Sequence, residues 1–145
     1  MYDYADSSKT RLKAVHPDLQ LIMTTVKKYC TIDFDISCGA RTTEEQQAAY
    51  FAGNSELDGI HKMSKHQLIP SEAVDIYAYK EGGKASYTYH QLSYIAGVIQ
   101  AVAIMLYSVG KTKHIIRWGG NWDQDGYIID DQTFQDLGHF EIVEV

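Results

Sequence analysis

Residues 94–109, YIAGVIQAVAIMLYSV, are almost wholly apolar, carry no charge and enclose one amide side chain, Gln100. Such a run has to be withdrawn from water. It is shorter than the roughly 20 apolar residues that a bilayer-spanning helix needs. The expectation is therefore a buried central helix over about residues 88–109, stopped by Gly110, around which the other elements pack. At 145 residues with 45% hydrophobic content and two prolines, the chain can build one such core without staples. No linker, repeat or low-complexity tract divides it, so residues 1–145 are expected to be a single domain.

The remaining elements follow from periodicity. Leu12, Val15, Leu19, Ile22 and Val26 recur at helical spacing, with Pro17 tolerable in a first turn, giving one or two amphipathic helices. IDFDISC then alternates Ile32, Phe34, Ile36 and Cys38 with Asp33, Asp35 and Ser37, the pattern of a half-buried strand. Thr42 with Glu45 is a capping-box signature, opening a short helix that ends near Gly53. Residues 54–72 lack periodicity and lead into the strand AVDIYAY. HIIRWGG, a polar loop over 121–133 and the terminal strand HFEIVEV close the chain. Helices of unequal length between strands, without regular βαβ alternation, predict an α+β fold, a small mainly antiparallel sheet with helices packed on it.

Charge and cysteine usage narrow the partners. A net charge of -6 with scattered cations argues against nucleic acid or an anionic membrane as the main partner. Cys30 and Cys38 make no disulfide framework, and MYDYADSSKT lacks the charged-then-apolar plan of a secretory signal. A monomer made and kept in a reducing cytosol, without stable membrane association, is expected.

Of the six histidines, His16, His61, His90 and His114 have no carboxylate or thiol at a suggestive spacing and read as surface or core residues. His66 precedes Asp75 by nine positions across a loop-to-strand passage, and His139 follows Asp136 by three. Two histidines and one carboxylate leave a fourth zinc position open for water, as hydrolytic sites require. Spacing alone is a weak signal in a chain with nineteen acids; a surface histidine, a strand-edge aspartate and a capping Asp136 are the plainer explanation.

Four linked motifs, GARTTEEQ (39–46), SKHQLIPSEAVDI (64–76), IRWGGNWDQDG (116–126) and DLGHFEI (136–142), add to that signal. In this order they resemble the zinc peptidoglycan peptidases of the D-alanyl-D-alanine carboxypeptidase group, and within it the short phage endolysins that act as L-alanyl-D-glutamate endopeptidases. The resemblance implies a Hedgehog/DD-peptidase-like fold, with His66, Asp75 and His139 as Zn2+ ligands and Asp136 as catalytic acid/base. It implies substrate-binding roles for Ser64 and for Arg41, the latter facing a substrate carboxylate. Gln46 also matches, without an assigned role. One departure stands out: relatives usually place six residues including a glycine between the histidine and the aspartate, whereas QLIPSEAV places eight, with Pro70.

These residue types suit amide hydrolysis. Zinc on neutral imidazoles and a carboxylate acidifies water and polarises a carbonyl, and Asp136 would take the proton and pass it to the leaving amine. Glu141 is the rival base, on the same strand face as His139 by period two, and otherwise orients His139 from behind. A second signal lies in NWDQDGYIIDDQ. Asn121, Asp123, Asp125 and Gly126 fall at positions one, three, five and six of an EF-hand-like loop, but Gln132 replaces the bidentate glutamate. Asp130 and Asp131 would supply charge and Tyr127 its carbonyl, for a Ca2+ site ordering the loop into Asp136 and His139. The expected function is a zinc-dependent endolysin cleaving the L-Ala–D-Glu bond of peptidoglycan stem peptides in host cell lysis, acting on the wall after the membrane is opened. The alternatives are a D,D- or L,D-carboxypeptidase, or a non-catalytic metal-stabilised binding module.

Overall fold

The computed structural model describes residues 1–145. In chain order the elements are α1 (Asp6–Leu12), α2 (Pro17–Tyr29), β1 (Phe34–Cys38), α3 (Thr43–Phe51), a 3-10 turn (Lys65–Gln67), β2 (Ala73–Lys80), β3 (Lys84–Ser86), α4 (Tyr89–Ser108), β4 (His114–Trp118) and β5 (His139–Glu144). The strands form one antiparallel sheet in the order β1-β2-β5-β4, with β3 paired to the far end of β2. This is the small antiparallel sheet with packed helices that the sequence predicts. The three-residue β3 is an addition, made possible by Gly82 and Gly83, both at positive φ in the turn that reverses the chain.

One face of the sheet carries the core. Phe34, Ile36, Val74, Ile76, Ile116, Trp118, Phe140 and Ile142 meet Leu19, Ile22 and Met23 of α2 and Leu92, Ile95 and Ile99 of α4, all buried in one continuous cluster. Alternation along the strands puts Asp75, Arg117, His139 and Glu141 on the opposite face. The core thus fixes the strand register and, with it, where the polar groups stand.

Two expectations need correction. Helix α4 is not buried on all sides. Its inner stripe, Leu92, Ile95, Ala96, Ile99, Ala103 and Leu106, is buried, but Ile104 is 57% and Val109 64% exposed. A helix laid on the outside of a two-layer fold has only the sheet and α2 to cover it. Asp35 was expected on a solvated strand face but is buried. Helix α1 packs over β1, and the Asp35 carboxylate accepts hydrogen bonds from the Ala5 N–H, the Ser8 hydroxyl and the Tyr79 hydroxyl, so it is satisfied without water. The expected capping box of α3 is present, with Thr42 and Glu45 each accepting the other's backbone N–H.

Candidate metal centre

The register of the sheet builds the site. Asp75 on β2 lies opposite Cys38 of β1 on one side and His139 of β5 on the other. Arg117 of β4 lies opposite Glu141. His66 enters from the 3-10 turn, whose N-cap Ser64 accepts the His66 N–H and whose Gln67 returns a bond to the Ser64 N–H. The eight-residue passage from His66 to Asp75 is pinned by Ser71. Its backbone pairs with Ala14 and His16, and its hydroxyl donates to the Gly39 carbonyl.

Asp75 Oδ1 stands 3.2 Å from His66 Nε2 and 3.0 Å from His139 Nδ1. Tetrahedral zinc with its usual bond lengths places ligand atoms about 3.3 Å apart. The outer ring nitrogens are both occupied: His66 Nδ1 lies 2.6 Å from the Gly39 carbonyl and His139 Nε2 lies 2.9 Å from Glu141 Oε1. With the outer N–H donated to these acceptors, each inner nitrogen presents a lone pair toward Asp75 once it has lost its proton. The donor set therefore fits a divalent cation, His66 by Nε2 and His139 by Nδ1.

Protonation follows the same geometry. Burial pulls the His66 imidazole down, but the Asp75 carboxylate, with Cys38 beside it, outweighs burial and lifts it to about 10. His139 is likewise raised, burial being overcome by Asp75 and Glu141. Burial pushes Asp75 up, and the two histidines together hold it well below the ordinary carboxylate range. Three groups thus compete to share positive charge at one point, which in the metal-free protein protons supply.

Asp136 and Glu141 differ in their surroundings. The Asp136 carboxylate is half-buried, lies within 4.8 Å of the donor atoms of Asp75 and His139, and is raised, first by burial and then by the Asp75 charge. Its place depends on Gly119, whose N–H donates to the His139 carbonyl and whose carbonyl accepts the Asp136 N–H. A Cβ at Gly119 would meet the Asp136 carbonyl oxygen at 2.1 Å. Glu141 receives His139 Nε2, and its Oε2 takes Arg117 Nη2 at 2.8 Å. Against the upward push of burial, His139 and Arg117 hold it at about 2.

Arg41, expected to face a substrate carboxylate, holds the protein's own: Nη2 donates to Asp75 Oδ2 at 2.9 Å and Nη1 to Gln46 Oε1 at 3.0 Å. Gln46 therefore has a local role, bridging Arg41 to Ser55 and Leu57. Beside the centre opens a cavity of about 650 Å³, whose lining includes Arg41, Ser64, Arg117, Trp122, Phe134 and Asp136. Arg117 and Trp122 had been given no site role in the sequence reading; period-two pairing of Arg117 with Glu141 was the available signal, but it requires the strand register.

The acidic loop keeps only part of its expected geometry. Asp123, Asp125 and Asp131 bring donor atoms within 4.8 Å of one another. Asn121 donates to the Asp125 carbonyl at 3.0 Å while its own Oδ1 is buried without a partner. Gly126 does not make the sharp turn; Gln124 and Ile129 hold the positive φ angles instead. Asp130 stands outside the cluster of three acids. The loop reaches the centre through Trp122, whose ring centroid is 5.4 Å from that of His139.

Two of the other histidines find carboxylate partners. His114 Nδ1 meets Asp18 Oδ2 at 2.7 Å, joining β4 to the first turn of α2, where His16 is the N-cap. His61 meets Asp58 at 2.9 Å on the surface.

The family model for phage L-alanyl-D-glutamate peptidase matches residues 1–143. Among six solved chains that match, the L-Ala D-Glu endopeptidase ChiX of Serratia marcescens is 25% identical, with a TM-score of 0.73, over 97% of this chain and 90% of that one. No curated protein matches the chain.

Proposed function

The chain belongs to the phage L-alanyl-D-glutamate peptidase family, and from that premise we propose that it is a zinc-dependent endopeptidase hydrolysing the L-Ala–D-Glu bond of peptidoglycan stem peptides during host lysis. The observation that carries the zinc reading is the pair of inner imidazole nitrogens converging on Asp75 Oδ1 with both outer nitrogens hydrogen-bonded away. A zinc ion held there supplies a Lewis acid and acidified water to an amide that neither reaches unaided. Asp136 is the proton carrier in this reading. Its carboxylate lies within 4.8 Å of the Asp75 and His139 donor atoms and takes no hydrogen bond from a protein group, so it is free to receive a proton and return it to the leaving amine. Glu141, tied to His139 and Arg117, keeps the His139 ring turned. Arg41 keeps Asp75 turned, and Ser64 shapes the turn carrying His66.

Metal content and wall-digesting activity of the wild type beside His66→Ala and Asp136→Asn test this. Zinc lost in the first and retained in an inactive second is expected; an Asp136→Asn protein that still digests sacculi contradicts the role of Asp136. Release of a terminal D-Ala from stem peptides would favour the carboxypeptidase alternative, and mass spectrometry of the digest distinguishes the two. In this reading residues 1–145 work as one catalytic unit, monomeric, stored in the host cytoplasm until the membrane is opened.

A second, calcium-binding reading rests on the buried, unpartnered Asn121 Oδ1 beside the three converging acids. A Ca2+ ion on Asn121, Asp123, Asp125 and Asp131 would neutralise a cluster in which Asp131 is raised by slight burial and by Asp125 and Asp123, and would stiffen the loop carrying Trp122. Calcium titration followed by Trp fluorescence, repeated on Asp125→Asn, tests it; a response unchanged in the variant contradicts the site.

A further inference from the structure

We propose that Arg117, laid against Trp122, is a carboxylate-binding position of the cavity and selects stem peptides with a free carboxylate next to the scissile bond over their amidated forms. The proposal rests on the peptidase reading above and adds to it the residue that reads substrate charge.

Arg117 has donors to spare where the other cations at the centre do not. A guanidinium offers five N–H groups; Arg117 uses Nη2 on Glu141, while Nη1 makes no hydrogen bond and the side chain stays 35% exposed. Arg41 has both ends engaged by Asp75 and Gln46. Lys65 donates to the Ile142 carbonyl and stands 3.6 Å from Glu141 and 3.9 Å from Glu72. Glu141 is itself shared among His139, Arg117 and Lys65, so this one carboxylate does not saturate the Arg117 guanidinium.

The group is also held in place. The Arg117 guanidinium carbon lies 5.8 Å from the Trp122 ring centroid, and the Trp122 indole N–H is anchored on the Phe134 carbonyl at 3.1 Å. A planar guanidinium set beside an indole ring, with Nη1 free, suits hydrogen bonding to a carboxylate. Arg117 is registered opposite Glu141, two residues along β5 from His139, a separation of about 7 Å. That is about two residues of an extended peptide, so an acid held by Arg117 belongs to one of the two residues that follow the cleaved bond. Two sources fit: the α-carboxylate of D-glutamate, and the free carboxylate of a diaminopimelate in the following position.

The test measures kcat and KM of zinc-loaded wild type, Arg117→Gln and Arg117→Lys on four stem peptides. These combine D-Glu or D-isoglutamine with lysine or meso-diaminopimelate. Wild type is expected to favour a free carboxylate by about ten- to hundredfold, mainly in KM. Arg117→Gln abolishes that preference with zinc retained, and Arg117→Lys restores part of it. A preference that follows D-Glu assigns the α-carboxylate; one that follows diaminopimelate assigns the side-chain carboxylate. A wild type that does not distinguish the four peptides, or an Arg117→Gln protein impaired equally on every peptide, overturns the proposal. If Arg117→Gln loses zinc, Arg117→Lys decides: an unaltered loss on all four peptides overturns it. A wild type that cleaves none of the four at L-Ala–D-Glu overturns the peptidase reading instead.

Discussion

Zinc loading of the metal-free protein is expected to expel more than one proton, and the number follows from the site. His66 stands at about 10, so at pH 6.5 it is essentially fully protonated. His139 is raised above its ordinary 6.5 and is more than half protonated there. The outer N–H groups stay on Gly39 and Glu141, so the protons that leave are those on the inner nitrogens facing Asp75. Between about 1.5 and 2 protons should therefore be released per zinc at pH 6.5. Apparent affinity should rise about 30- to 100-fold per pH unit near that pH, or ~2–2.7 kcal/mol. Calorimetry in buffers of different ionisation enthalpy counts the protons, and chelator competition at neighbouring pH values measures the slope. Release of less than one proton, or a flat affinity, would refute the account of how Asp75 holds the two histidines. The metal-free protein should show the converse in its stability. The raised histidines contribute stability that is full below 6.5 and lost as pH climbs toward 10. Glu141, depressed from 4.5 to about 2, contributes above 4.5 and is lost as pH falls toward 2. Its stability should thus peak between these limits.

Other outcomes follow from single contacts. Glu141→Gln should weaken zinc about 10- to 100-fold by freeing the His139 ring, measured by chelator competition; unchanged affinity would separate the two residues. Asp136→Asn should remove the acidic limb of the kcat/KM profile and leave a residual rate about 10²- to 10⁴-fold lower. Gly119→Ala should displace the Asp136 loop and cost activity while the fold, followed by circular dichroism, persists. Phe34→Ala, in the fully buried core, should destabilise by about 3–5 kcal/mol in denaturant unfolding.

Local patterns carried the element plan because helix and strand periodicity, the Thr42 capping box and the Gly110 stop are decided by neighbours in sequence. They misjudged Asp35 and α4, since burial depends on what a distant segment brings: α1 over β1, and no layer over the outer side of α4. The acidic loop shows the same limit. Spacing placed Asp123 and Asp125 together, but it assigned the sharp turn to Gly126 when the chain turns at Gln124, and it enlisted Asp130, which lies outside the cluster.

At the centre the division is sharper. The sequence by itself determined which residue types the chain owns for hydrolysis: His66, Asp75, Asp136 and His139 in motifs whose order matches a family of peptidases. Only tertiary structure decided which nitrogen of each histidine faces Asp75, that Arg41 is spent on Asp75, that Glu141 is held by His139 and Arg117, and that Arg117 keeps donors free. The reason is that a hydrogen-bonding group has a type written in the sequence but a partner set by strand register. That register is fixed by the packing of Val74, Ile76, Phe140 and Ile142 on the other face of the sheet.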